Sequence, residues 1–343
     1  MQSEKYSRDN AGQSLKKYIL LKKGELAYNH GASKAKQYGC CYELTEDEAR
    51  IPYVYHCFKV SGAEHTPYVA TALNNPKIDR QLKRLVSSSV RMDGLLNISF
   101  DDYMSVILHL PSLKEQTHIA DFLKKLDERI TAQEKLVASL KKYKRGVNNQ
   151  ILSQIDNSYN CRLGSVCEIV GGGTPDTLHT EYWGNTVEWF TPSEIGKTKY
   201  VNNSVRKLSD IGLNNSSAKL LPIGTVLLTT RATLGEMSIA KRECSTNQGF
   251  QSLIPHTDRV SSEYLYYMQI IIKPWCEKYA SGNTFREISK SALSDCIVPI
   301  PDRARQEQIV KLLSSIDMLI GAEESILMSL SKIRHGLMQQ LFI

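Results

Sequence analysis

A 43-residue segment that occurs twice constrains this chain more than any other feature of its sequence. Residues 110–152 and residues 300–342 align without a gap, and 13 of the 43 aligned positions are identical. A repeat of this length means that the architecture is built from two related units. The identical positions include Pro111/Pro301, Gln116/Gln306, Ile119/Ile309, Leu123/Leu313, Asp127/Asp317, Leu140/Leu330 and Gly146/Gly336.

Both copies place apolar residues at alternating steps of three and four, which is the seam of a coiled coil. The seam comprises Ile119, Leu123, Leu126, Ile130, Val137 and Leu140 in the first copy, and Ile309, Leu313, Ile316, Ile320, Leu327 and Leu330 in the second. Polar residues interrupt it at equivalent places, Gln133/Glu323 and Lys144/Arg334. Each copy predicts a helix of about 40 residues, about 60 Å long.

Capping residues also indicate where each of the two long helices begins. Ser112 with Glu115 predicts a capping box, and Asp302 can cap the second helix. A single such helix would fit a dimerisation coiled coil equally well. Two copies in one chain, each after a globular segment, favour the two helices packing on each other as an antiparallel pair.

Length and composition limit the class of protein. A chain of 343 residues is long enough for two domains. It has no signal-peptide pattern at its start and no apolar run near 18 residues, so we expect a cytoplasmic protein with no membrane partner. Its eight cysteines form no C-x-x-C pair, which favours reduced thiols and argues against a zinc site. A formal charge of +7 is weak evidence for a polyanionic partner.

The domain boundaries follow from the repeat. We expect a first globular segment over 1–109, a first long helix over 110–155, a second globular segment over 161–299 and a second long helix over 300–343. The globular segments also look related, since Gly24 precedes Gly224 by 200 residues and Gly39 precedes Gly235 by 196. By this register residues 161–200 have no partner in the first segment, which is therefore expected to be truncated at its front.

Apolar runs predict the shorter elements. In the second segment we expect strands over 163–170, 187–190, 225–230 and 296–299, and a helix over 263–279 that Pro274 kinks or ends. In the first segment we expect strands over 53–55 and 106–108 and a helix over 76–86.

A search for catalytic motifs finds no site. Residues 171–175 are rich in glycine but do not match G-x-G-x-x-G, so a tight turn is favoured over a phosphate cradle. Residues 196–198 resemble the end of a P-loop, yet Thr191 stands where its first glycine should be. Nuclease, amino-methyltransferase, serine hydrolase and zinc-protease signatures are absent too. We expect no catalytic residue and no metal ligand.

What remains is a set of polar loops in the second globular segment. Arginine, asparagine and glutamine side chains can read base edges, and serine, threonine and lysine can position phosphates. Such residues populate any surface loop, so the set permits DNA binding without requiring it. The candidate contacts are Thr174, Trp183, Lys197, Lys199, Thr230, Arg231, Asn247, Gln248, Asn283, Thr284 and Arg286.

The helix starts resemble a known family motif, P-x-x-x-E/R-Q-x-x-I, which matches residues 111–119 and 301–309. Further phrases match over 163–166, 173–175, 230–235 and 247–248. With these residues the chain resembles the DNA-specificity subunit of type I restriction-modification systems. That family alternates two target recognition domains with two long helices. The resemblance implies an α+β fold with two such domains, the first incomplete, separated by helices that pair as an antiparallel coiled coil.

The resemblance also implies a function. Such a subunit is non-catalytic and directs methyltransferase and restriction (helicase-nuclease) subunits to a bipartite site on double-stranded DNA. S-adenosylmethionine, ATP and magnesium would then be bound by those partner subunits, with no cofactor on this chain. Two alternatives stay open: a truncated donor or inactive copy of such a subunit, and a coiled-coil scaffold without DNA binding.

Overall fold

A computed structural model describes residues 18–31, 36–86, 95–156, 159–282 and 286–342. The fold is α+β, as predicted, and divides into two compact units. The first unit takes residues up to 136 together with 323–343, and the second takes 137–322. Each unit therefore contains part of each long helix, rather than one globular segment followed by one helix. No helix in the described ranges is both long enough and apolar enough to span a membrane.

The described elements of the first unit are short, apart from the long helices. Its strands are β1 (Tyr18–Lys22), β2 (Leu26–Asn29), β3 (Cys40–Glu43), β4 (Glu48–Pro52) and β5 (His56–Phe58). Its helices are α1 (Thr66–Ala72), α2 (Pro76–Leu85), α3 (Phe100–Met104) and the start of α4 (Leu113–Ser153), the first long helix.

The second unit has more strands among its described residues. They are β6 (Asn160–Arg162), β7 (Cys167–Gly171), β8 (Trp183–Gly184), β9 (Val187–Phe190), β10 (Tyr200–Val201), β11 (Arg206–Leu208), β12 (Val226–Leu228), β13 (Met237–Ala240), β14 (Cys244–Thr246), β15 (Gln251–Pro255) and β16 (Ile297–Pro299). Its helices are α5 (Asp210–Asn214), α6 (Ser262–Tyr267), α7 (Gln269–Tyr279), α8 (Lys290–Ser294) and the start of α9 (Arg303–Gln340), the second long helix. Short 3₁₀ turns cover Leu163–Ser165, Thr180–Tyr182 and Pro192–Glu194.

The two units share one sheet topology. In the first unit β2 lies between β3 and β5, and in the second β12 lies between β13 and β15, with all four pairings antiparallel. The glycines that relate the two segments occupy matching turns, because Gly24 (φ 81°) and Gly224 (φ 86°) are both left-handed. Gly39 (φ 80°) and Gly235 (φ 77°) are left-handed as well. The second unit adds β10 and β7 at the two edges of this core, which makes a five-stranded sheet in the order β10-β13-β12-β15-β7.

Within each unit the two long helices run antiparallel and meet through equivalent residues of the repeat. In the first unit Gln133 donates to the backbone carbonyl of Glu323 at 3.0 Å, and Arg334 pairs with Asp127. In the second unit Lys144 pairs with Asp317 at 2.5 Å. The two ion pairs are repeat equivalents, because Asp317 is the copy of Asp127 and Arg334 the copy of Lys144. All twelve predicted seam residues are buried or half-buried.

The repeated glutamine of the helix motif ties each helix to its unit. Gln306 is fully buried, accepts the Ser261 N–H (3.1 Å) and donates to the carbonyls of Arg259 (2.8 Å) and Pro301 (2.9 Å). Gln116 does the same in the first unit, accepting from His65 (3.0 Å) and donating to Pro111 (2.9 Å) and to Glu64. Each glutamine thus joins the start of a long helix to the start of a short one.

The predicted helix caps are confirmed. Ser112 Oγ and Glu115 bond reciprocally, and Asp302 accepts the Arg305 N–H at 2.9 Å. The strand over 187–190 and the helix over 76–86 are also found, the helix ending at Leu85.

Three local predictions were wrong. Residues 53–55 are the turn between β4 and β5. Residues 106–108 are not a strand, because the Ile107 N–H and carbonyl bond the side chain of Gln81 instead of a neighbouring strand. The helix over 263–279 breaks at Met268, whereas Pro274 lies inside α7. Met268 has ψ near 0° (−1°), so it ends α6 and starts α7 before the proline is reached.

Candidate DNA-recognition surface

Three of the predicted loops meet at one end of the five-stranded sheet in the second unit. The loop after β7 is held by a bond from the Gly173 N–H to the Thr246 carbonyl, and the loop after β12 by a bond from the Thr230 N–H to the Gly249 carbonyl, both 2.8 Å. An isolated bridge between Thr229 and Phe250 closes the arrangement. Backbone bonds of this kind fix the loops independently of their side chains.

Five predicted contact residues come together there, and we name them the loop cluster: Thr174, Thr230, Arg231, Asn247 and Gln248. Thr174 Oγ1 donates to Gln248 Oε1, and Asn247 Oδ1 accepts the Gly249 N–H at 2.9 Å.

The remaining two members of the loop cluster contact one carboxylate. Thr230 Oγ1 lies 3.2 Å from Glu287 Oε1, and Arg231 Nε lies 3.0 Å from Glu287 Oε2. The Arg231 side chain is 41% exposed, so its guanidinium is held at one edge and open to solvent elsewhere. An arginine held in this way has donors left for a base or a phosphate. Sequence reasoning did not identify Glu287, which has no motif around it.

The backbone beside Arg231 is strained. Ala232 has φ 56°, and it is the only non-glycine residue with positive φ in the described ranges. Such a conformation costs of order 1 kcal/mol or more for a residue with a Cβ. Gly235 closes the same loop at φ 77°, and a Cβ there would come within 2.9 Å of the Lys273 backbone. The loop therefore has a defined shape that presents Arg231 at its start.

Trp183 lies in a different place, on the four-stranded sheet β14-β9-β11-β8. Its ring stacks under Arg206, whose guanidinium carbon is 3.4 Å from the ring centroid, and meets Trp189 edge-on at 5.1 Å. Arg206 is exposed and was not among the predicted contacts. Its position on β11 opposite Trp189 could not be read from sequence spacing, since the partners are 17 residues apart.

Next to this stack a buried carboxylate supports the turn after β10. Glu188 accepts the Ser204 N–H at 2.6 Å and pairs with Lys207 at 2.7 Å. Burial raises the pKa of Glu188, but hydrogen bonds from Lys207 and Ser204 outweigh that effect, so its pKa lies below the usual value.

Lys199 is engaged inside the second unit. Its ammonium group bonds Tyr267 Oη at 3.2 Å and Ser314 Oγ at 3.1 Å, and it lies 4.5 Å from the Tyr267 ring centroid. Burial is the main reason that the Lys199 pKa is lowered, since desolvation disfavours the ammonium. The lysine therefore joins β10 to the second long helix.

The other predicted contacts are dispersed. Lys197 is exposed just after Gly196, and Arg286 donates to the Glu277 carbonyl. Asn283 and Thr284 lie outside the described residues. Among the residues that are described, no three His, Cys, Asp or Glu side chains are grouped to hold a metal ion.

The sequence matches the model of a known protein family. The family model for the type I restriction modification DNA specificity domain matches residues 156–332, and the chain belongs to that family. The matched region contains the whole loop cluster and most of the second long helix.

Individual proteins that are similar in sequence to this chain are specificity subunits of type I restriction enzymes. The chain is 34% identical over 186 residues to the type I restriction enzyme MjaIX specificity subunit of Methanocaldococcus jannaschii, covering 53% of this chain and 43% of that protein. It is 26% identical over 225 residues to the EcoR124I/EcoR124II specificity subunit of Escherichia coli, covering 62% of this chain and 54% of that protein. The chain thus spans about half the length of the curated relatives it matches.

A solved structure has the same fold. A chain from a type I R-M system, described for its complex assembly and conformational transition, superposes with a TM-score of 0.61 at 19% identity. The superposition covers 94% of this chain and 82% of that one.

Proposed function

We propose that this chain is a non-catalytic DNA-recognition subunit that directs a type I restriction-modification complex to its double-stranded DNA target. The observation that carries the proposal is the loop cluster, since a family member gathers five base-reading or phosphate-binding side chains at one end of a sheet. The formal charge of +7 favours a polyanionic ligand.

Arg231 is the residue we expect to contribute most to sequence recognition. It is half exposed, stands on a strained turn and is oriented by Glu287. An arginine that donates to a guanine is worth about 1–3 kcal/mol of discrimination. The Thr174 and Gln248 side chains, which contact each other, would position the neighbouring backbone.

The direct test is a methylation map. The chain is co-expressed with the methyltransferase subunits of its system, and genomic DNA is sequenced for modified adenines. We expect one new methylated motif, which Arg231→Ala removes or relaxes at one position. Arg162→Ala is the matched control, because Arg162 is 72% exposed, lies on β6 and is outside the loops.

The methylation map and a titration of DNA binding at several salt concentrations separate the alternatives. A chain that yields no motif but still assembles with the methyltransferase is a donor or inactive copy. A scaffold without DNA binding would give no salt-dependent association with any duplex, whereas phosphate contacts make log K fall linearly with log salt. Either outcome refutes the proposal.

Partner subunits are proposed to dock on the long helices. In the first unit Phe122 (52%), Met328 (58%) and Ile333 (53%) are exposed, and in the second unit Tyr143 (59%) and Met318 (70%) are exposed. Single exposed apolar side chains are common on protein surfaces, and a contiguous group of them marks an interaction site; these five residues are the candidates for such a group on the long helices. These partners would be the methyltransferase and restriction subunits, which would bind S-adenosylmethionine, ATP and magnesium.

A pair of substitutions tests the docking. Met318→Glu is expected to weaken co-purification with the methyltransferase subunit while leaving the thermal unfolding of the chain unchanged. Lys332→Glu, at an exposed polar position on the same helix, is the control. Equal effects of the two substitutions would contradict a docking site built on apolar contacts.

A further inference from the structure

The turn between β10 and β11 is held in shape by two carboxylates. Glu188 is 5% exposed and accepts the Ser204 N–H at 2.6 Å. Glu194 accepts the Val205 N–H at 2.8 Å. We name residues 202–206 the braced turn. Because its backbone is bonded to side chains of β9 and of the 3₁₀ turn that follows β9, its conformation is set before any ligand binds.

The braced turn ends at Arg206, whose guanidinium lies flat on an aromatic ring. The guanidinium carbon is 3.4 Å from the Trp183 ring centroid, and the Arg206 side chain is exposed. Among the residues that the structure describes, no carboxylate bonds this guanidinium, whereas Arg231 meets Glu287. Stacking fixes the plane of a guanidinium and leaves its N–H donors at the edge. The braced turn therefore presents a full set of oriented donors.

Val205 is the most exposed large apolar side chain in the described ranges. It is 88% exposed, although its own N–H is bonded to Glu194. A single exposed valine has no particular meaning on an ordinary loop. Here a fixed backbone holds two methyl groups beside an oriented arginine. Donors next to methyl groups match the major groove of DNA, where base edges carry hydrogen-bond acceptors and the methyl group of thymine.

The braced turn lies at the same end of the four-stranded sheet as part of the loop cluster. Trp189 of β9 pairs with Arg206 of β11 on one side and with Ser245 of β14 on the other. β14 runs parallel to β9 and leads into Asn247 and Gln248, whereas β11 runs antiparallel and starts from the braced turn. Two strand spacings, about 10 Å, separate the two loops across the sheet. This is about three base pairs along DNA, which keeps both loops within reach of one half-site.

Trp189 also connects the stacked arginine to the loop cluster through its side chain. Its indole N–H donates to the Gly173 carbonyl at 3.0 Å, and Gly173 precedes Thr174 of the loop cluster. The same indole meets the Trp183 ring edge-on at 5.1 Å. The ring under Arg206 and the loop after β7 therefore pack on one side chain.

The fixed plane of Arg206 favours a base over a phosphate as its ligand. A phosphate accepts from lysine or arginine in many orientations and does not require a stacked guanidinium. Guanine offers O6 and N7 in one plane, and the arginine fork can donate to both. The neighbouring valine has no role at a phosphate.

We propose that the braced turn enters the major groove and reads two neighbouring base pairs. Arg206 donates to O6 and N7 of a guanine, and the Val205 methyl groups contact the methyl group of a nearby thymine. Trp183 and Glu188 are positioning residues, because they orient the arginine and the turn without touching DNA. This inference rests on the proposed function and deepens it, since it adds a second set of base contacts to those of the loop cluster.

The first experiment maps methylation by the complex of this chain with the methyltransferase subunits of its system. Arg206→Lys keeps the charge and removes the fork, and Arg206→Ala removes both. We expect both variants to methylate a motif in which one guanine of the wild-type motif has become any base. Val205→Ser should relax one thymine beside that guanine, and the other positions should stay unchanged.

Two exposed residues elsewhere in the second unit serve as matched controls. Arg242 stands before β14, at the end of that strand away from the loop cluster, and Ile223 is 66% exposed in the turn before β12. Arg242→Lys and Ile223→Ser should leave the methylated motif unchanged.

The second experiment changes the DNA instead of the protein. In a duplex with the wild-type motif, 7-deazaguanine removes the N7 acceptor and uracil removes the thymine methyl group. Each replacement should weaken binding of the wild-type complex about fivefold in competition anisotropy. The first should not affect Arg206→Ala, nor the second Val205→Ser. The wild-type measurements remain decisive even if a variant does not fold.

The outcomes distinguish this inference from the proposed function. A wild-type motif that Arg206→Lys and Arg206→Ala leave unchanged would overturn the inference and leave the proposed function standing. A uniform loss of affinity for all duplexes in Arg206→Ala, with a smaller salt dependence, would also overturn it and assign Arg206 to a phosphate. A wild-type chain that yields no methylated motif would overturn both.

Discussion

Replacing Gln306 by methionine removes the bonds that join the second long helix to α6 and keeps the side-chain length. Three groups lose their partner: the Ser261 N–H and the carbonyls of Arg259 and Pro301. Arg259 is exposed, so water can hydrate its carbonyl, but Pro301 is buried and Ser261 is half-buried. Each buried group left without a partner costs about 1–3 kcal/mol.

Summed over Pro301 and Ser261, the expected loss is about 3 kcal/mol in the free energy of unfolding, or roughly a hundredfold in the unfolding equilibrium. Urea titration of the wild type and the variant measures the global change. Hydrogen exchange of the Ser261 amide, which should accelerate first, locates it. Gln308→Met is the control because Gln308 is exposed on the same helix, and such surface changes stay within about 0.5 kcal/mol.

The repeat provides an internal replicate. Gln116 makes the equivalent bonds in the first unit, so Gln116→Met should accelerate exchange at the His65 amide and leave Ser261 protected. If Gln306→Met costs no more than Gln308→Met, the glutamine is dispensable for stability and the reasoning from buried hydrogen bonds is refuted.

Three further outcomes follow from single contacts. Asp127→Asn should lower the free energy of unfolding in urea by about 0.5 kcal/mol, because its ion pair with Arg334 is 40–46% exposed. Asp317→Asn should lower it clearly more, since that carboxylate is 29% exposed and also accepts a hydrogen bond from Tyr267 at 2.8 Å. Equal losses for the two substitutions would contradict this. Ala232→Gly should raise the unfolding free energy by about 1 kcal/mol by relieving the left-handed strain, and a lower melting temperature would count against it. The folded pKa of Glu188 lies below the ordinary value of 4.5, so the stabilisation that its carboxylate provides is present above pH 4.5 and is lost as the pH falls through the folded pKa. The difference in unfolding free energy between wild type and Glu188→Gln should therefore disappear in acid. A difference that is constant with pH would argue against stabilisation by the ionised carboxylate.

The sequence predicted the long helices and their caps because their signals are local and periodic. Ser112, Glu115 and Asp302 act within one turn, and the seam spacing is a direct reading of helical geometry. The glycine register was used only to relate the two globular segments, and the structure places Gly24 and Gly224 in matching left-handed turns, a conformation that few other residues adopt.

The contacts that the sequence did not predict join residues that are far apart along the chain and close in space. No spacing rule brings Glu287 to Arg231, 56 positions earlier, or places Lys199 against Ser314. The break at Met268 was missed because proline is the stronger local signal, although Pro274 is accommodated within α7. Residues 53–55 have strand-forming side chains, yet they form the turn between β4, which pairs with β1, and β5, which pairs with β2 in another sheet.

The matched ion pairs of the long helices have a consequence for the origin of the chain. Asp127 meets Arg334, Lys144 meets Asp317, and Gln133 meets the residue at its own repeat position, Glu323. Each copy therefore carries an acid and a base at positions that complement an identical copy, which is the property of a surface in a twofold symmetric dimer. A single repeat that paired with a second copy of itself would form both ion pairs, since each copy supplies one acid and one base. Joining two such repeats in one chain therefore keeps both pairs without a change at either position, whereas the Gln133–Glu323 contact requires the copies to differ.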